Sequence, residues 1–240
     1  MVTGVPIYFK HRQLVLPGEL LAEGNYVPSG AAYAEGNKIY ASAVGLAELR
    51  EKNIVHVISL SSVYTPRVGD VVVGKVIEIG LTGWYVDINA PYLAFLPVSE
   101  ATTRFVDIAK ENLANILNRG DVVVAKVLIA DVTRENLVIS IKEGGKLGRK
   151  REGTLIEIDP AKVPRVIGRK GTMINLIKSS LECDIIVGQN GWILIQGKSL
   201  EDELFVARLI KKIERESHVP GLTERIRKLI EEYLAQKKKE

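Results

Sequence analysis

The residues best suited to chemistry lie between Val166 and Ile177, in the run V-I-G-R-K-G-T-M-I-N-L-I. Gly168 and Gly171 carry no Cβ, so the backbone between them can turn sharply and press against a phosphate with no side chain in the way. Arg169 and Lys170 add positive charge at that turn. Met173, Ile174 and Ile177 recur at helical spacing, so Gly171 is predicted to open a helix. The amino end of that helix brings unpaired N–H groups and a positive dipole to the same spot. The stretch is built to hold an anionic backbone.

Little else in the chain offers chemistry of its own. His11, His56 and His218 are scattered, and none sits at ligand spacing from another His or from Cys183. No nucleophile-elbow motif is present. Glu201, Asp202 and Glu203 follow Ser199 and read as the acidic first turn of a capped helix, not as a metal site. The expectation is a protein with no catalytic residue, no metal and no cofactor. A net charge of +4 is only mildly basic, so any contact with nucleic acid has to come from local clusters. The single cysteine excludes an internal disulfide, the first residues lack the apolar segment of a secretion signal, and no apolar run approaches membrane-spanning length. Together these favour a soluble protein of the cytosol.

With 240 residues the chain has room for several small domains. Residues 1–65 carry short apolar runs broken by turn signals at Pro17, Pro28 and Glu35, and G-N-K-I-Y-A-S-A-V-G reads as a strand entered through a Gly36–Asn37 hairpin. This is a small β domain, suited to packing or docking. From residue 66 a near-repeat appears, G-D-V-V-V-G-K-V-I-E-I from Gly69 and G-D-V-V-V-A-K-V-L-I-A from Gly120. Between them lie strand candidates at Trp84 and Leu93 and a helix within Asp107–Asn118, and a further strand starts at Leu137. Five short strands with a helical insert between the third and fourth fit an OB-fold barrel over 66–143. Residues 144–152, basic and glycine-rich, read as a flexible linker. Over 153–240 the predicted order is β-α-α-β-β-α with a further carboxy-terminal helix. Pro160 starts the first helix, and Asn190–Gly191 joins the second and third strands. The fold class expected is α+β and multidomain.

The order β-α-α-β-β-α, with G-x-x-G between its first two helices, resembles the eukaryotic-type KH family. What that resemblance implies is a site for about four nucleotides of single-stranded RNA. Gly168, Arg169, Lys170 and Gly171 would clamp the backbone, and Ile167, Ile174 and Ile186 would line the groove for the bases, with at least one of the three serving the core instead. The barrel resembles the S-one type of OB domain through G-K-V-I-E-I-G-L-T-G-W-Y-V-D and F-L-P-V-S-E. That family often places two aromatics and a histidine on RNA. Here Thr82 stands at the first aromatic position, Tyr85 keeps the second, and Pro97 replaces the histidine. The loss of two contacts implies a weak site, with Lys75, Trp84 and Tyr85 as its candidates.

The succession of β domain, S-one barrel and KH domain resembles, along essentially the whole chain, the S-one/KH cap subunit of the archaeal RNA exosome. What this implies is a non-catalytic subunit, three copies of which cap a hexameric ring of RNase PH-like subunits, with residues 1–65 docking on that ring. The cap would bind single-stranded RNA and feed its 3′ end inward, and the ring would degrade it 3′ to 5′ with phosphate. The alternative is a free-standing RNA-binding regulator of translation or transcription. A nuclease in its own right ranks third.

Overall fold

The computed structural model describes residues 6–51, 53–60, 63–104, 106–107, 110–131, 136–142, 145–217, 219 and 221–237. His218 and the end of the lysine-rich tail lie outside them. The chain divides into two compact units, residues 1–62 and 63–240.

The first unit is all β among its described residues. Strands β1 (Gln13–Val15), β2 (Leu20–Glu23), β3 (Val27–Gly30), β4 (Ala32–Glu35), β5 (Lys38–Ala41), β6 (Gly45–Arg50) and β7 (Ile54–Ser59) form two sheets. Their orders are β2-β5-β4 and β1-β6-β7-β3, with β3 running parallel to β7. The hairpin foreseen at Gly36–Asn37 joins β4 to β5, and Gly36 has the positive φ of 63° that such a turn requires. Alternation in β5 sends Ile39 and Ala41 into a core with Val15, Leu21, Val55 and Val57.

The second unit opens with the barrel. Strands β8 (Val71–Ile79), β9 (Gly83–Asp87), β10 (Ala94–Pro97), β11 (Val122–Asp131) and β12 (Asn136–Ser140) run in the order β12-β10-β9-β8-β11, and pairing of β11 with β12 closes the circle. Along β8, Val72 and Val76 point into the core, while Val71, Val73 and Lys75 point out. This alternation is why two similar V-V-V runs can each serve two faces. A four-residue helix, α1 (Val98–Ala101), follows β10. The helix expected within 107–118 is, among the described residues, a 3-10 turn at Leu113–Asn115. Asn112 explains this in part, because its side chain accepts the Ala114 N–H and competes with helical pairing. Leu113 and Leu117 still plug the barrel core.

The linker foreseen over 144–152 contains a strand, β13 (Gly148–Lys150), which pairs with Val122–Val124 at the start of β11. The KH domain then comprises β14 (Thr154–Glu157), α2 (Val163–Ile167), α3 (Thr172–Leu181), β15 (Asp184–Val187), β16 (Trp192–Gln196), α4 (Leu200–Arg215) and α5 (Leu222–Lys237). Its sheet has the order β14-β16-β15. One face, through Ile185, Ile193 and Ile195, packs under the helices. The other, through Ile186 and Leu194, packs on Val73 and Val124 of the barrel. Barrel and KH domain therefore share a core.

A hairpin bolts the two together. Asn190 is fully buried, and its Nδ2 donates to the carbonyls of Val73 (2.7 Å) and Ile88 (2.9 Å). The Val73 N–H donates back to its Oδ1 at 3.3 Å, and Asn89 Nδ2 donates to the Asn190 carbonyl at 3.1 Å. Beside it the Gln189 N–H donates to the Val71 carbonyl at 2.9 Å. Asn190 and Gly191 do make the predicted turn, but the asparagine side chain is spent on the barrel.

At the other end of the KH domain α5 is tied down. Ser199 caps α4, its Oγ accepting the Asp202 N–H. Asp202 is buried and accepts from Tyr233 Oη at 2.9 Å and from Lys237 Nζ at 2.6 Å. Burial pushes its carboxyl up, but the hydrogen bonds from Lys237, Ser199 and Tyr233 outweigh it and hold the group below the usual aspartate range. The rings of Phe205 and Tyr233 stack alongside at 3.9 Å.

Candidate nucleic-acid interface

The glycine loop has the conformation its sequence demands. Gly168 sits at φ 76°, ψ 171° and Gly171 at φ 78°, ψ 11°. A Cβ on Gly168 would stand 2.8 Å from the Met173 nitrogen, so only glycine lets the loop fold onto the first turn of α3. Between them Lys170 is held left-handed at φ 52°, ψ 29°, a conformation that costs a residue with a side chain roughly 1–2 kcal/mol. Arg169 and Lys170 are both exposed, and neither is ion-paired among the described residues. Gly171 is the N-cap of α3, and no side chain caps that end. The positive pole of the helix thus faces the same turn as two free cations.

Ile167, Ile174 and Ile186 are brought together around a groove of about 250 Å³. Ile167 is the most open of the three, while Ile186 divides its surface between the groove and the core shared with the barrel. Asn175 and Lys178 from α3 supply polar edges. Val71 of β8 and Lys146 of the linker line the groove too, from outside the KH strands and helices. Lys178 Nζ donates to Asp184 Oδ1 at 2.8 Å, and Lys146 Nζ reaches the same oxygen at 3.3 Å. The hydrogen bond from Lys178, followed by the charges of both lysines, lowers the Asp184 pKa against the opposing effect of burial.

On the barrel, Tyr85 is 41% exposed and packs against Phe95, directly opposite it on β10, with ring centroids 5.4 Å apart. Two glycines make room for the rings. A Cβ on Gly80 would lie 3.2 Å from Tyr85 Cε2, and one on Gly83 would lie 2.9 Å from Phe95 Cζ. Lys75 is exposed on the same outer surface, opposite Val122. Trp84, expected among the RNA contacts, is withdrawn from them. It is fully buried, and its Nε1 donates to the Leu117 carbonyl at 2.8 Å. Strand alternation gives the reason, since Tyr85 points out and its neighbour must point in.

Phe95, Asn175, Lys178 and Lys146 extend the sites beyond the residues read from sequence. Phe95 could have been found from strand register, since L-A-F-L-P alternates like W-Y-V-D-I. Nothing local marks Lys146, whose place depends on β13 pairing with β11. Among the described residues no three His, Cys, Asp or Glu come together to hold a metal ion, and no helix is long and apolar enough to cross a membrane.

An OB-type barrel with an aromatic pair on its outer surface, joined to a KH domain with a charged glycine turn, defines the chain as an RNA-binding protein of S1 and KH domains. Family profiles agree in order along the chain, with the exosome RNA binding protein RRP4 N-terminal domain at residues 12–61, the RRP4 S1 domain at 63–129 and a KH domain at 153–201. The exosome complex component Rrp4 of Pyrobaculum aerophilum is 46% identical over 230 residues, covering 96% of this chain and 97% of that protein. The Rrp4 component of Thermococcus kodakarensis is 42% identical, with 93% and 87% covered. A crystal structure described as that of an exosome complex RNA-binding protein superposes with a TM-score of 0.68 at 38% identity, covering 73% of this chain and 99% of that one. The chain belongs to the Rrp4 family of exosome complex components.

Proposed function

We propose that the chain is the non-catalytic, RNA-binding cap of an archaeal exosome in the cytosol, recruiting single-stranded RNA and guiding its 3′ end into a hexameric ring of RNase PH-like subunits. In this reading three copies sit on each ring, residues 1–65 dock, residues 66–143 and 153–240 handle RNA, and the ring performs the 3′-to-5′ degradation. The observation that carries it is the pair of RNA-suited surfaces on one rigid unit, the clamp at Gly168–Gly171 and the Tyr85–Phe95 pair. Each is a modest site, and three copies around one entrance raise effective concentration without new contacts.

The test is to recover the tagged chain from its source after ribonuclease treatment and weigh the intact complex by native mass spectrometry. The expected mass is that of three copies on a six-membered ring. A lone chain would overturn the cap and favour a free-standing RNA-binding regulator. RNA degradation by the chain purified to homogeneity would overturn the non-catalytic role.

A further inference from the structure

The KH groove is incomplete without the linker. Lys146 lines it together with Ile167 and Ile174, and its Nζ lies 3.3 Å from Asp184 Oδ1. Lys178 Nζ holds the same oxygen at 2.8 Å. One carboxylate oxygen therefore carries two ammonium groups, leaving the trio with a net positive charge at the lip of an apolar groove. Lys146 is set there by its neighbours, because Leu147 is packed in the core between barrel and KH sheet and Gly148 starts the pairing with β11. A lysine on a loose tether would spread its charge over a wide volume, whereas the backbone of this one is anchored beside the groove and its exposed side chain reaches Asp184.

We infer that Lys146 is an RNA-binding residue of the KH site, and that Asp184 is an internal stand-in for phosphate, holding Lys146 and Lys178 in place until RNA takes them over. The inference rests on the RNA-binding reading given above. An anionic ligand laid along the groove meets two donors already pointed at one oxygen position, Lys178 mostly covered and Lys146 60% exposed, so part of the side-chain entropy has already been lost. Asp184 is half of a competition. It orients the lysines, and its charge opposes RNA. Its position at the first residue of β15, on the edge strand of the sheet, leaves it exposed enough to give the lysines up.

The experiment measures binding of a short, single-stranded, fluorescent RNA to the full chain across a salt series. Lys146→Ala is expected to weaken binding by on the order of tenfold, the worth of one charge-assisted hydrogen bond, and to reduce the salt slope by about 0.7. Asp184→Asn keeps an acceptor for the lysines but removes the competing charge, so it is expected to tighten binding. Lys38→Ala, a loss of one positive charge in the other unit, controls for net charge, and Arg169→Asp with Lys170→Asp tests the clamp itself. Unchanged affinity in Lys146→Ala, with binding lost in the clamp double variant, overturns the inference and leaves the KH reading standing. Unchanged affinity in the clamp double variant overturns both. Lower melting temperatures for Lys146→Ala and Asp184→Asn with the same RNA affinity would reduce the trio to a structural tie and overturn the inference as well.

Discussion

Tyr85 and Trp84 face opposite sides of β9, so neighbouring substitutions report on different properties. Tyr85→Ala and Phe95→Ala each remove part of an exposed stacking surface and are expected to lose about 1–3 kcal/mol of RNA binding. Their melting temperatures are expected to stay close to that of the parent, since both rings lie outside the barrel core. Trp84→Phe is expected to do the reverse. It leaves the Leu117 carbonyl unpaired in the core, which costs about 1–3 kcal/mol in denaturant unfolding, while RNA affinity holds. The glycine turn was legible because Gly168, Arg169, Lys170 and Gly171 are contiguous, and a local motif can be read locally. The sequence was silent on Lys146 for the opposite reason, since that residue reaches its site only through the pairing of β13 with β11.

At the scale of elements, two contacts decide how the KH domain is held. Asn190→Ala would strip partners from the Val73 and Ile88 carbonyls and the Val73 N–H, at about 1–3 kcal/mol for each orphaned buried group. The expected result in denaturant is a lower midpoint or a split transition in which barrel and KH domain unfold separately. The turn was legible as Asn-Gly, but its purpose was not, because the bond to Val73 spans 117 residues. The second contact is Asp202, whose carboxyl is held below its ordinary value of 3.8 by Lys237, Ser199 and Tyr233 against the opposing effect of burial. A depressed carboxyl stabilises the fold above its unfolded pKa and loses that contribution as pH falls through the folded value. Asp202→Asn is therefore expected to melt earlier than the parent at neutral pH, with the gap closing as the pH is taken below 3.8. The acidic trio that looked like helix-end decoration contains, in Asp202, the anchor of α5. Helix-dipole reasoning could not reveal this, since Tyr233 and Lys237 lie on another helix.

For the molecule as a whole, the core of Val73, Val124, Ile186 and Leu194 and the buried Asn190 make barrel and KH domain one body. Domains on a supple tether would engage RNA independently, and affinity would climb gradually with each added nucleotide. Here the distance from the clamp at Gly168–Gly171 to the aromatic pair at Tyr85 and Phe95 is set by packing and not by a chain's fluctuations. If both surfaces hold RNA as proposed, the unit would act as a calliper. A strand too short to touch both jaws would bind with the strength of one, and the first strand long enough to touch both would bind much more tightly. Titrating a ladder of RNA lengths against the full chain is expected to show a step at a single length, and Asn190→Ala, by loosening the joint, is expected to blunt that step into a slope.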